Sequence, residues 1–263
     1  MTDAPDTTDL PFTGQPLAGK VAVITGGSRG MGLSMAEAFA RAGADLVIAS
    51  RKLDACEQAA AAITAATGRK VVPTACHVGR WDQLDALYET SYANFDKVDV
   101  LVNNAGMSPL YPSLDAVTED LFDKVVAINF KAPFRLSSLF GTRMKADGGG
   151  SIINISSTAS IRPTPRELPY AGAKAALNNI TGGFARGLGP EVRVNTIVPG
   201  PFLTDISKAW DLDAFAEQAK RFPLQRGGQP DEIVGAALYF ASDASSFTTG
   251  ATLVIDGGVS LPE

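Results

Sequence analysis

The sequence predicts one doubly wound α/β domain, a parallel sheet with helices on both faces. Three observations point there. Short apolar runs rich in β-branched residues alternate with helical segments along nearly all of the 263 residues. The runs are apolar almost throughout, as expected for strands buried on both faces. No proline- or serine-rich linker and no internal repeat divides the chain.

Lys20 to Thr25 (KVAVIT) is the first strand, followed directly by a glycine cluster. Met31 to Ala42 has helical spacing and stops at Gly43. Ala44 to Ala49 (ADLVIA) is the second strand, and the alanine-rich stretch from Leu53 to Thr67 is a helix ending at Gly68. Val71 and Val72 begin the third strand; Val98 to Val102, Ser151 to Ile155, Val192 to Ile197 and Ala251 to Ile255 supply four more. Gly148 to Gly150 is a tight helix-to-strand turn, not a domain joint. Residues 1–17 read as a flexible N-terminal extension and 18–263 as the catalytic domain. The extension is acidic and proline-containing, without the basic start and apolar stretch of a signal peptide, so the protein is expected in the cytoplasm.

Composition excludes several classes. A net charge of -5 with a pI near 5.0 argues against a nucleic-acid partner. No run of about 18 apolar residues suggests a membrane span. The only histidine is His77, and the cysteines Cys56 and Cys76 form no CxxC pair. That leaves little room for a metal site and makes a Ser-His-Asp hydrolase a poor reading. Both cysteines are expected to be buried thiols.

After the first strand stands Thr25-Gly26-Gly27-Ser28-Arg29-Gly30-Met31-Gly32. Gly26, Gly30 and Gly32 lack the Cβ atoms that would keep a diphosphate from the backbone. The N–H groups of Ser28 and Met31 and the following helix dipole can receive its charge. At the end of the second strand, where a carboxylate would bond adenosine ribose hydroxyls, the chain has Ser50-Arg51-Lys52. Arg51 and Arg29 can grip a 2′-phosphate and Ser50 can donate to it, which favours NADP(H) over NAD(H).

Tyr170 and Lys174 are four apart and share one helix face. Ser157 stands just past the fifth strand, where open α/β sheets bind ligands. A phenol is a poor base at neutral pH, but a neighbouring ammonium and a cationic nicotinamide would favour phenolate.

With these motifs the chain resembles the short-chain dehydrogenase/reductase family of the classical type, from Lys20 to about Gly258. Asn103-Asn104-Ala105-Gly106, Asn129, Pro199-Gly200 and Asp256-Gly257-Gly258 also match. The resemblance implies a Rossmann-type sheet in the order 3-2-1-4-5-6-7 and a tetrad of Asn129, Ser157, Tyr170 and Lys174. Tyr170 would exchange the proton with the substrate oxygen and Ser157 would hold that oxygen. Lys174 would bond the nicotinamide ribose, and Asn129 would anchor a water leading to it. Hydride would pass between nicotinamide and a carbonyl or alcohol carbon without a metal.

Pro199, Gly200, Phe202 and Thr204 match the segment meeting the carboxamide. Asn104, Ala105 and Gly106 match one beside the adenosine half; Asn103 and Asn104 have either a contact or a structural role. Relatives often carry aspartate where His77 stands before Val78, so His77 could bond or stack on adenine, or face solvent. Residues 205–229, with Trp210, Phe215, Phe222 and Leu224, are expected to form a substrate lid. Met107, Leu110, Ile161 and Leu168 are candidates for an apolar wall suited to a lipophilic ketone or 3-oxoacyl substrate.

The spacing of Tyr170 and Lys174 is narrower than enoyl reductases usually have, and the intact glycine loop and Lys174 disfavour a halohydrin dehalogenase. The alternative from another class is a non-catalytic dinucleotide-binding sensor. A homotetramer is expected, with Leu136, Leu139 and Phe140 pairing across a two-fold axis.

Overall fold

The computed structural model of the chain describes residues 14–204, 207 and 211–261. Most of the 1–17 extension, together with Asp205 and Trp210 of the expected lid, lies outside the described residues. Seven strands form one parallel sheet: β1 (Val21–Thr25), β2 (Asp45–Ser50), β3 (Val71–Ala75), β4 (Val100–Asn103), β5 (Gly150–Ile155), β6 (Val192–Pro199) and β7 (Thr252–Ile255). Their order is β3-β2-β1-β4-β5-β6-β7, with every pairing parallel. All C-terminal strand ends therefore lie along one edge.

Side chains alternate along each strand, so a strand buried on both faces feeds two cores. Ala22 and Ile24 face one core with Met35 and Phe39 of α1 (Gly30–Arg41), Cys56 of α2 (Leu53–Thr67) and much later Phe240. Val21 and Val23 face the other, with Leu84 and Leu87 of α3 (Trp81–Asn94) and Phe140. Asp99 joins strands at the opposite edge: its carboxylate accepts the Val21 N–H at 2.8 Å, and strand pairing of the fourth run begins at Val100 rather than Val98.

The turns need glycine in two places. Gly68 ends α2 in the left-handed region at φ +70°. Gly149 turns into β5 at φ +122°, where a Cβ would come within 2.8 Å of the Glu191 carbonyl oxygen.

One helical run changes register partway along. α4 (Glu119–Val126) continues through a wide π turn, Ala127–Lys131, into α5 (Ala132–Ala146). Pro133 has no N–H to donate to the carbonyl of Asn129, so the ordinary i→i−4 register cannot pass there. The wide turn holds Asn129, which is completely buried. α6 (Leu168–Leu188), α7 (Leu212–Ala219) and α8 (Val234–Ala241) complete the helices longer than four residues among the described residues.

The expected pairing face on α5 needs correction. Leu136 and Phe140 are 1% and 0% exposed and pack into the second core, because residues four apart both point at the sheet. The outward face of α5 carries Phe134 instead.

Candidate active site

The glycine loop is built as a close approach of backbone to backbone. Gly26 and Gly30 have φ of +68° and +53°, a region that favours glycine. A Cβ on Gly32 would overlap the Gly26 carbonyl oxygen and fall 2.6 Å from Asn104 Nδ2. Asn104 braces this turn: its Nδ2 donates to the carbonyls of Thr25 at 2.8 Å and Gly26 at 3.3 Å. The Thr25 hydroxyl accepts the N–H groups of Asn104 and Ala105. Thr25 was not singled out in the sequence; its one signal is a hydroxyl at the end of an otherwise apolar strand.

Asn103 has the structural role. It is buried, and its Nδ2 donates to Asn154 Oδ1 at 2.9 Å and Ser137 Oγ at 3.1 Å. Asn154 passes the chain to Thr181 on α6, and Thr196 of β6 also donates to Thr181. This buried polar strip ties β4, β5 and β6 to the helix that carries Tyr170. The polar Asn154 within SIINI was its only trace in the sequence.

At the far end, Ser50 closes β2. Ser28 Oγ donates to Ser50 Oγ at 3.0 Å, and Cys56 Sγ lies 3.1 Å from the same oxygen. Arg29 and Arg51 are exposed on either side, and Arg51 makes no ion pair among the described residues. His77 Nδ1 accepts the Gly79 N–H at 3.1 Å, while the His77 backbone N–H donates to Gln83 Oε1 at 2.6 Å. A neutral ring therefore has its proton on Nε2, the edge left for an outside acceptor. Val78 is buried in the second core, and Met31 packs against the first.

The four residues expected to act together converge above β4 and β5. Ser157 Oγ accepts the Ala159 N–H at 3.2 Å and stands close enough to the Tyr170 phenol to act on its ionisation. Lys174 is 2% exposed; its Nζ donates to the Ile155 carbonyl at 2.7 Å and lies 5.8 Å from the centre of the Tyr170 ring. Asn129 Nδ2 donates to the carbonyls of Met107 and Val125, both at 2.9 Å, and Oδ1 accepts the Met107 N–H. The Asn129 side chain thus holds the strand-end loop in place. Gly106 lies between: a Cβ there would come within 3.0 Å of Asn129 Oδ1 and 3.7 Å of Lys174 Nζ.

Burial dominates the electrostatics. It pushes the Tyr170 phenol up to about 12, against a lowering by the Ser157 hydrogen bond and with a small push from the Glu167 charge. Burial likewise brings Lys174 down to about 7. The sequence suggested a phenol drawn down by its lysine neighbour. In the structure burial is the largest influence on the phenol, and it acts against ionisation.

The remaining expected contacts lie past β6. A Cβ on Gly200 would fall 2.6 Å from Asp256 Cβ, so only glycine lets the two strand ends meet. Phe202 is buried and bridges to Gly228, and Pro199 ends β6. Thr204 reaches the glycine loop, its Cγ2 3.6 Å from where a Gly30 Cβ would lie. In the described part of the segment expected to form a lid, Phe215 and Phe222 pack edge to face, ring centres 6.2 Å apart. Leu224, Leu110, Ile161 and Leu168 are exposed around the mouth. Met107 is half-buried and packs against the second core.

A dinucleotide fits this ground. The glycine loop forms a cradle that side chains would fill, the ribose end carries hydroxyls and cations, and the nicotinamide end has glycine and a buried ring. Gly26, Ser28, Gly30 and Met31 would hold the diphosphate, Ser50 and Arg51 the adenosine ribose, and Lys174 and Thr204 the nicotinamide half.

The comparisons agree with this geometry. A family model described as enoyl-(acyl carrier protein) reductase matches residues 26–260. The chain is 36% identical over 246 residues to dehydrogenase/reductase SDR family member 4 of Pongo abelii, covering 92% of this chain and 88% of that protein. It is 36% identical over 244 residues to the 3-oxoacyl-[acyl-carrier-protein] reductase of Chlamydia trachomatis, covering 92% and 98%. A gluconate 5-dehydrogenase from Burkholderia cenocepacia, solved with NADP and tartrate, superposes with a TM-score of 0.89 at 35% identity, covering 94% and 97%.

Proposed function

The chain belongs to the short-chain dehydrogenase/reductase family, and we propose that Tyr170 is the acid/base of its carbonyl–alcohol interconversion, with NADP(H) preferred. When bound, the nicotinamide supplies or accepts the hydride. In the reducing direction the Tyr170 hydroxyl gives its proton to the carbonyl oxygen. Ser157 donates a hydrogen bond to that oxygen and orients it. Burial raises the phenol in the free site, and the Lys174 ammonium with a bound cationic nicotinamide would bring it back toward the working range that acid/base catalysis needs. Lys174, fixed by the Ile155 carbonyl, would hold the nicotinamide ribose and assist proton movement at the phenol. Asn129 keeps the loop at Gly106 and Met107 in place, so that Lys174 has room.

The observation carrying this reading is the convergence of Ser157 and Lys174 on Tyr170 at the strand edge that holds the glycine loop. Supporting the NADP(H) preference are Ser28, Ser50 and Arg51 at the ribose end, and the NADP held by the Burkholderia relative. A lipophilic ketone or 3-oxoacyl compound suits the exposed Leu110, Ile161 and Leu168, and the Chlamydia relative is named for the latter. A homotetramer is supported by β7, an edge strand whose Leu253 and Val254 are 38% and 39% exposed. No helix among the described residues is long and apolar enough to cross a membrane, and we place the protein in the cytoplasm.

The test is NADPH consumption with a panel of ketones, for the wild type and Tyr170→Phe. The variant is expected to lose roughly 10²–10⁴ in rate while cofactor affinity changes only a few-fold. Turnover near wild type in Tyr170→Phe would remove the residue from its role.

A further inference from the structure

Ser157 stands between two tethers to α6. Before it in the chain, Lys174 Nζ donates to the Ile155 carbonyl at 2.7 Å, and the Ser156 hydroxyl donates to the Lys174 carbonyl at 3.3 Å. After it the backbone makes one 3₁₀ turn, Thr158–Ser160. The Ser157 carbonyl accepts both the N–H and the hydroxyl of Ser160, at 2.9 and 2.6 Å. Asn178, about one helical turn beyond Lys174, reaches that turn from α6. Its Nδ2 donates to Ser160 Oγ at 2.8 Å.

The proton count fixes the direction of this chain. Ser160 has a single hydroxyl proton, and at 2.6 Å from the Ser157 carbonyl it must lie between the two oxygens, which would otherwise repel. The Ser160 oxygen can then only accept, so the amide nitrogen of Asn178 is the atom that faces it. The amide oxygen is left buried with no hydrogen-bond partner among the described residues. Such an orphan acceptor destabilises the fold, and an apolar side chain of similar shape would remove the loss. Stability alone therefore does not account for an asparagine at this position.

We propose that Asn178 is a positioning residue: through Ser160 it holds the turn bearing Ser157 against α6, and so aims the Ser157 hydroxyl at the carbonyl oxygen that Tyr170 protonates. The proposal rests on the assignment of Ser157 and Tyr170 to the reaction. Tyr170, Lys174 and Asn178 follow one another at four-residue steps, so one side of one helix carries the acid/base, the ammonium beside it and the brace of the serine. Asn178 itself touches neither substrate nor cofactor. A displacement of about 1 Å in a group that orients the substrate can cost on the order of 10² in rate, while the groups that hold the cofactor stay in place.

The experiment measures kcat for NADPH-dependent reduction of ethyl 3-oxobutanoate, together with NADPH Kd and Tm. Asn178→Leu is expected to lower kcat roughly tenfold, with NADPH Kd within about twofold of wild type and Tm not lowered. Ser160→Ala breaks the same chain at its next link and should lower kcat to a similar extent. The double variant should fall no further than either single change. In a Ser157→Ala background, Asn178→Leu should leave kcat within about twofold, because the hydroxyl it positions is gone. An Asn178→Leu enzyme with wild-type kcat overturns the proposal. So does a tenfold loss that recurs in the Ser157→Ala background, which would mean that Asn178 acts on the site by another route. If Asn178→Leu does not fold, Ser160→Ala carries the same test, and wild-type kcat in that variant overturns the proposal. A wild type that binds NADPH and reduces neither this ester nor any ketone of the panel refutes the acid/base reading instead, and the proposal falls with it.

Discussion

Replacing Gly32 with alanine tests the glycine loop directly. The added methyl would overlap the Gly26 carbonyl oxygen and come within 2.6 Å of Asn104 Nδ2. Both neighbours are held: Gly26 N–H donates to Ala49 O at 2.7 Å, and Asn104 is tied to Thr25 and Gly26. The clash is with backbone, so the loop itself must open. Overpacking of this kind costs about 1–3 kcal/mol, and each 1.4 kcal/mol is a factor of ten in affinity. NADPH Kd, measured by fluorescence titration, should rise roughly 5- to 100-fold, with a lowered Tm. Gly235→Ala is the matched control. Gly235 lies in α8 with nothing within 4 Å of its would-be Cβ, and alanine there should stabilise by about 0.5–1 kcal/mol through helix propensity. A Gly32→Ala protein that binds NADPH and melts like wild type would refute the argument that close backbone approach dictates this glycine.

Three further outcomes are expected. Arg51→Ala should weaken NADPH binding about tenfold or more with little change for NADH, and Ser50→Asp should go further by repelling the 2′-phosphate; kcat/KM with both cofactors decides, and equal effects on the two would make Arg51 a solvated surface cation. Lys174 has its folded value lowered to about 7 from 10.5, so between those values the unfolded chain binds the extra proton and stability rises with pH. Without cofactor, wild-type Tm should therefore gain on that of Lys174→Met as pH rises from 7 to 9, and parallel curves would contradict the burial argument. Light scattering at micromolar concentration should give a mass near four times the 27.4 kDa chain, and a monomer would defeat the tetramer.

The order of strands and helices was legible because the central strands are buried on both faces and so read as continuous apolar runs. The ends were less legible. Asp99 meets the neighbouring strands through Val21 and Ser151, partners far away in sequence. The glycine loop, Ser157 and the Tyr170–Lys174 pair were recognisable because each depends on close spacing along the chain. Their convergence needed the sheet.

Sequence by itself determined the local requirements of this protein: where a Cβ is forbidden, where a helix must stop, and which two side chains share a helix face. Only the tertiary structure decided what those groups feel and touch. It turned Leu136 and Phe140 inward, because facing a sheet is a property of packing. It held the Tyr170 phenol up and the Lys174 ammonium down, because desolvation depends on everything folded around a charge. It also brought Tyr111 to the start of α6, 57 residues along the chain, to satisfy an N–H that no nearby residue caps.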